Sequence, residues 1–345
     1  MAAIGLKSAA AAGVGVVTVG VVASQLSGGP VPAFRATGAG RFDKATYIGR
    51  YVDLVVKFDP STLLKSDEEI RKAQQRVVAK QGTDAQLWSD RELIESAVHP
   101  DTGEIVPQPF RMAGYVPYNA PVCAAMVMVA SPAAQGFWNW VNQSHNAAVN
   151  YANRNATSPV STESLAVSYV AAVGAAVGVA LGLGGAIRRL APPHLVPRLM
   201  KFVAFPASVV ASSGNCLIMR RAEMEQGISL QSENGSTVAD GRRSVVAATR
   251  AVKETVMSRM ALPVPVVLLP AIVMNLPGLS SLAAGVSVPL AMYFTTVSFG
   301  LGLPGVVAYF PQFSSIEVSE LEPEFQNLRD EKGEHIRVLY FNKGL

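Results

Sequence analysis

Residues 138–155 read Trp138-Asn-Trp-Val-Asn-Gln-Ser-His-Asn-Ala-Ala-Val-Asn-Tyr-Ala-Asn-Arg-Asn155. At helical period, Asn139, Asn142, Asn146, Asn150 and Asn153 recur at steps of three, four, four and three, which sets them on one stripe of one helix. Asn is a poor helix former because its side chain competes for backbone hydrogen bonds. A soluble surface helix would not ordinarily carry it five times on one face. The stripe follows directly on an apolar run, Gly114–Phe137, long enough to cross a bilayer. From Met112 to Asn153 there is no Asp, Glu, Lys or Arg. A carboxamide brings two donors and an acceptor without net charge. Two readings stay open on the residues alone. The amides can be hydrogen-bonding glue between helices in lipid, with the tryptophans in an interfacial belt. They can equally form the polar wall of a path for a neutral or zwitterionic solute.

Outward from this stretch, composition sets the class. A chain of 345 residues could hold two soluble domains. Half of its residues are hydrophobic, only 16% are charged, and the apolar ones are clustered. Five runs meet the length of a bilayer crossing: Gly114–Phe137, Ser164–Ile187, Phe202–Met219, Met260–Leu279 and about Leu282–Phe310. Met260–Ile316 carries no charged residue and is too long for one crossing, so Asn275-Leu-Pro-Gly278 supplies a turn between two. The expected fold is an all-α membrane protein of about five transmembrane helices. It has an N-terminal extension (1–40), a soluble helical region (41–111), a transmembrane domain (112–316) and a short soluble tail (317–345).

The net charge of +4 is spread over the N-terminal half and the loops, without the basic block of a nucleic-acid arm, so no nucleic-acid partner is expected. Cys123 and Cys216 both fall in apolar runs and read as small core residues. His99, His145, His194 and His335 lack metal-ligand spacing, and neither a phosphate loop nor a nucleophile elbow occurs. No enzyme, metal or cofactor is expected.

Local signals fill in the rest. Residues 1–40 contain no acidic residue and read as a membrane-associated or loosely ordered tail rather than a signal or transit peptide. Ser66-Asp-Glu-Glu69 and Ser89-Asp-Arg-Glu92 each predict a helix start by a capping box. His99-Pro-Asp-Thr-Gly103 and Glu233-Asn-Gly235 predict turns. Gly174, Gly178 and Gly182 predict close helix approach. Ser244–Arg259 predicts an amphipathic surface helix. Pro263, Pro265 and Pro270 predict a broken span, tolerated where backbone lines a cavity or is buried in protein.

Several motifs resemble the sideroflexins. They are Phe42-Asp-Lys-Ala-Thr-Tyr47 with Gly49-Arg50, His99-Pro-Asp-Thr-Gly-Glu104, Phe110-Arg-Met112, Trp138-Asn-Trp-Val-Asn-Gln-Ser144, Asn146, Asn150-Tyr151, Asn153-Arg154, Asn215-Cys216, Met219-Arg220 and Tyr340-Phe-Asn-Lys-Gly-Leu345. The resemblance spans about residues 41–345. It implies a five-span protein of the mitochondrial inner membrane that imports serine and related small neutral amino acids for one-carbon metabolism. An older name for the family, tricarboxylate carrier, and links to iron and the respiratory chain come with it. Five spans put the Ala191–Lys201 and Arg220–Arg259 loops on opposite sides; the second holds more Lys and Arg, which assigns it to the matrix.

Function follows from the uncharged polar groups at membrane depth. Asn142, Asn146 and Asn150, together with Asn215, are the expected substrate-binding residues, lining one cavity. A tricarboxylate calls for Arg or Lys inside the spans, and the five runs contain none. Serine is therefore the expected partner, beside the lipid bilayer, ahead of a carboxylate. The alternative is a membrane scaffold that supports assembly of respiratory-chain or iron–sulfur machinery through its soluble helices and the 220–259 loop.

Overall fold

A computed structural model of the chain describes residues 2–35, 40–99, 102–153, 162–232, 238, 242–329 and 334–343. It is helical almost throughout, and its order follows from where polar and apolar runs alternate. Helix α1 (Ala2–Ser27) is followed by three short helices: α2 (Tyr47–Lys57), α3 (Asp67–Ala79) and α4 (Asp84–Ala97). Next come α5 (Ala120–Met128), α6 (Pro132–Ala152), α7 (Thr162–Leu190), the single-turn α8 (Val196–Met200), α9 (Ala204–Met219) and α10 (Arg221–Gln226). Strands β1 (Ile228–Ser229) and β2 (Arg243–Ser244) pair antiparallel ahead of α11 (Val245–Ala261) and α12 (Leu269–Val273). Helices α13 (Ala284–Val297) and α14 (Leu303–Tyr309) lead to the antiparallel pair β3 (Phe313–Glu317) and β4 (Val338–Asn342).

Five segments are long and apolar enough to cross a membrane: Gly5–Ser27, Ala166–Leu190, Val196–Met219, Val245–Val273 and Ala284–Tyr309. The number matches the sequence reading, but one member differs. Gly114–Phe137 is not a single span. The helix stops at Met128, Val129 is extended, and Pro132 opens α6. A residue before Pro is pushed out of the helical region, and Pro at the first helical position starts a new helix cleanly. The place of that span is taken by α1, so residues 2–27 are not a loose tail. The small residues of α1 explain why it docks. A Cβ on Gly15 would stand 2.9 Å from Thr296 Cβ, and a Cβ on Gly300 would overlap the Val19 side chain. Helix α1 lies against α13 at backbone distance, with Val19 fully buried beside Phe58, Val116, Met126 and Phe299.

The charge-free run 260–316 does reverse at Asn275–Gly278, where Gly278 takes a left-handed φ of 85°. The expected boundary between a surface helix (244–259) and a span (260–279) does not exist. Helix α11 runs on through a π turn (Val264–Leu268) into α12 as one continuous helical path. Similar π turns stand at Tyr115–Asn119 and Ser298–Gly302. Pro117 and Pro265 fall inside two of them, where the missing N–H of proline would break a regular ladder. Two of the turns meet face to face, since a Cβ on Gly302 would lie 2.9 Å from Pro265 Cβ. Gly174, Gly178 and Gly182 are exposed and approach nothing within 4 Å; Ala172, Ala176 and Ala180 form the packed face of α7 instead.

Outside the membrane, the N-terminal region sits at the end of α14. Tyr47 Oη donates to Gly305 O at 3.2 Å, and Arg50 Nε to Ala308 O at 2.8 Å. Ser66 and Glu69 form the expected reciprocal capping box. The second predicted box is absent. Helix α4 starts five residues earlier, at Asp84, capped by Thr83 accepting from Gln86 N, and Ser89 is an exposed mid-helix residue. An earlier cap wins because the helix pattern extends back to Gln86 and Leu87. Arg76 grips Asp90 with two bonds of 2.6 Å, locking α3 to α4. The loop after α9 and the C-terminal tail close over a second core of Leu230, Ile316, Phe325, Leu339 and Phe341. There the Glu322 carboxylate accepts from the amides of Val245 and Val246 at the start of α11. Burial tends to raise its pKa, but these amides and the Ser244 hydroxyl outweigh it and hold the carboxyl below its usual range.

Two outcomes test this fold. Gly300→Ala forces Val19 aside and should cost about 1–3 kcal/mol by overpacking; adding Val19→Ala should recover part of that loss in a thermal melt of the detergent-solubilised protein. Ser66→Ala should cost about 0.5–2 kcal/mol through its lost cap, while Ser89→Ala should leave the midpoint unchanged.

Candidate functional site

The break between α5 and α6 turns the asparagine stripe inward. Helix α6 packs along α7 and against α5, and beside α9 and α11 the group encloses a cavity of about 1050 Å³. Asn142, Asn146 and Asn150 of α6 and Asn215 of α9 all line it. The sequence pattern therefore brings its four nominated residues to one wall. Asn142 is buried, and its Oδ1 faces the Cys123 Sγ at 3.9 Å. Asn146 Oδ1 accepts from Tyr115 Oη at 3.3 Å. Asn150 is exposed towards the wide end, and Asn215 Oδ1 has no partner among the described residues.

The ends of the stripe do something else. Asn139 is fully buried, donates to Gln135 O at 2.8 Å and does not reach the cavity. Asn153 donates to Phe110 O at 2.9 Å and ties the end of α6 to the segment before α5. One helix thus carries a buried residue bonded to its own backbone at one end, a tie to a neighbouring segment at the other, and cavity wall in its middle. Trp140 is the interfacial member, donating Nε1–H to Tyr169 Oη at 3.1 Å, whereas Trp138 packs against the core. Of the other polar candidates, Ser212 lines the cavity, while Ser213 and Asn275 do not. Asn275 donates to Arg198 O and Ala271 O at the opposite end of the bundle.

The π turns form the apolar part of the lining. Tyr115 and Asn119 come from the first, Val266 and Val267 from the second, Phe299 from the third. Tyr115 and Phe299 stack with ring centroids 5.9 Å apart. At the wide end the wall is polar. Arg220, nine-tenths buried, donates to Glu223 Oε2 at 3.0 Å, to Thr255 Oγ1 at 2.8 Å and to Lys343 O. Lys343 Nζ pairs with Glu254 at 3.0 Å, so the last described residue of the tail is clamped to the cavity rim. His99, Thr102 and Glu104 also reach this rim. The backbone closes the turn they stand on, with Gly103 N donating to His99 O at 2.9 Å and Gly103 at a φ of 70°. Pro100 and Asp101 of that motif lie outside the described residues, as do Arg154, Asn155, Glu233–Gly235 and residues 344–345.

Asn119 and Thr255 are polar lining residues that the sequence reading did not single out. A lone Asn in the run 114–137 was a readable signal for the first. Ser208 was legible as an unusual polar residue of the 202–219 run, and Arg259, with Lys201 and Arg220, as a cation at a cavity mouth; Arg259 does line the cavity. It stands within the span Val245–Val273, which corrects the expectation that no span carries a cation.

The geometry defines a multi-pass membrane protein with a cavity between its helices that is lined by both apolar and polar side chains. The sideroflexin family model matches residues 37–345. The chain is 36% identical to human Sideroflexin-5, covering 89% of this chain and 92% of that protein. It is 38% identical to the Caenorhabditis elegans Sideroflexin-5, over 93% and 98%, and 33% identical to human Sideroflexin-1, over 88% and 96%. No solved structure matches it. The chain belongs to the sideroflexins.

Asn153→Ala should lower the melting temperature by removing its bond to Phe110 O, a loss of about 0.5–1.5 kcal/mol. Solute uptake per folded molecule should stay at the wild-type level, which a vesicle assay normalised to protein content would check.

Proposed function

We propose that this protein carries small neutral amino acids, serine foremost, across the mitochondrial inner membrane, supplying one-carbon metabolism. The single observation behind the reading is the convergence of Asn142, Asn146, Asn150 and Asn215 on one cavity between the helices. Amides recognise a zwitterion through donors and acceptors and leave no net charge to compensate in its absence. Serine adds a hydroxyl that the same groups, with Ser212, can bond. Family membership supports a carrier, since a scaffold has no need of a solute-sized polar chamber at membrane depth.

The test is uptake of labelled serine by purified protein in liposomes, with alanine, cysteine and citrate as competitors. Alanine and cysteine should compete and citrate should not. Asn142→Leu and Asn146→Leu keep similar volume and delete the polar groups. Each should weaken apparent affinity about five- to hundredfold, the equivalent of a lost bond worth roughly 1–3 kcal/mol, at near-normal membrane content. Wild-type uptake per molecule in both variants would overturn the assignment of these residues.

A further inference from the structure

We infer that Arg259 is the carboxylate anchor of the cavity, and that the site takes a solute bearing a single carboxylate. The inference rests on the carrier reading for its physiological solute. Arg259 lies fourteen residues from each end of the helical span Val245–Val273, about 21 Å from either at 1.5 Å per residue. It is half-buried and lines the cavity. No acidic side chain pairs with it, and it makes no hydrogen bond to a described residue.

Every other cation near it is occupied. Arg220, one turn of cavity wall away, is saturated by Glu223, Thr255 and the Lys343 carbonyl. Lys343 is paired with Glu254. The remaining lining carboxylate, Glu104, is exposed on the rim. An unpaired guanidinium on a membrane helix, five residues past the Glu254 contact with the tail and at the start of the charge-free stretch, is costly, and such residues are retained where they meet a counter-charge or water-filled space. Guanidinium matches a carboxylate with two parallel N–H bonds.

A second, independent observation points to the rest of the solute. Asn119 is 2% exposed and Ser208 is 5% exposed; both line the cavity, and their Oδ1 and Oγ atoms have no partner among the described residues. Asn215 Oδ1 is unpartnered as well. Three unpartnered acceptor oxygens buried in the wall of one chamber suit an ammonium, which offers three donors and no acceptor. One guanidinium balances one carboxylate. A tricarboxylate would leave two negative charges uncompensated in a low-dielectric site, so the structure itself discriminates by charge count.

The experiment has two arms. In proteoliposomes, Arg259→Gln should raise the KM for serine at least tenfold, with Arg259→Lys intermediate, and ethanolamine, which lacks the carboxylate, should fail to compete with serine in the wild type. In detergent, alanine should raise the melting temperature of the wild-type protein and alaninamide should not; Arg259→Gln should abolish the difference while keeping its own unliganded midpoint. If the wild type takes up no serine yet shows the Arg259-dependent shift with alanine, the carrier reading falls and the anchor stands. A wild-type KM in Arg259→Gln, or equal shifts from alanine and alaninamide in the wild type, overturns the anchor.

Discussion

The architecture depends on one side chain at the reversal between α5 and α6. Ending α5 at Met128 frees carbonyl groups in the protein interior, where an unpaired acceptor is costly. Gln135, fully buried, directs its Nε2 at Met126 O (2.6 Å), Val129 O (2.9 Å) and Met200 O (3.3 Å). It caps the broken helix and ties the break to the end of α8 in the same contact. Arg188 adds a bond from its Nη2 to Ala130 O at 2.9 Å. With the reversal fixed, α6 runs back along α7, and the phase of its asparagines relative to α9 and α11 is set. Without it, Gly114–Phe137 would be the straight span that its composition suggests, and the stripe would begin outside the membrane.

What could be read from the sequence follows the physics of each signal. The asparagine period survived because a stripe on a single helix is a local property. Three of the four nominated residues share a wall for that reason, and the lone Asn215 of α9 joins them. The Ser66 box was local as well. The failures are cases where tertiary packing decides. Ser89 carries the same pattern as Ser66, but Thr83 caps first. Gly174, Gly178 and Gly182 have the spacing of a contact face, yet α7 turns its alanine row inward. Residues 2–27 are as apolar as the other spans but rich in Ala and Gly, and where their helix docks is decided by the fit of Gly15 on Thr296 and Val19 on Gly300, which is not a local signal. Arg259 was read as a cation at a cavity mouth outside a span that began at Met260, because charge density was taken as the end of a span, when the helix passes through without a break.

The extramembrane parts are coupled to the cavity by charge rather than by apolar area. The tail strand β4 ends on Lys343, whose carbonyl accepts from Arg220 and Thr255, both cavity residues. Its ammonium is held by Glu254, which also accepts from Ser314 of β3. Glu322 fixes the start of the same α11 helix through two amides. Contacts at the first residues of α11 and at Glu254 and Thr255 further along it therefore register the tail against the rim. The carbonyl of Lys343 neutralises donors of Arg220 that would otherwise face the chamber. That leaves Arg259 as the guanidinium with free valence on this wall.

Unpaired buried atoms do not by themselves identify a site here. Gln135 Oε1, Asn139 Oδ1 and Asn275 Oδ1 are also without partners among the described residues. Each belongs to an amide whose nitrogen is already engaged in holding backbone: Gln135 at the helix break, Asn139 on its own helix, Asn275 between Arg198 and Ala271. Their orphan oxygens are the by-product of a bond that the fold needs. Asn119, Ser208 and Asn215 have no such bond among the described contacts, and all three residues line the cavity of about 1050 Å³, with the oxygens themselves buried in its wall. An unmet acceptor costs about 1–3 kcal/mol when buried dry. A chamber that can admit water or solute removes that penalty only while it is filled. The polar groups of α5, α9 and α11 are thus consistent with stability only in a protein that keeps this space occupied, and an occupant that meets the oxygens and the guanidinium together meets them better than water does.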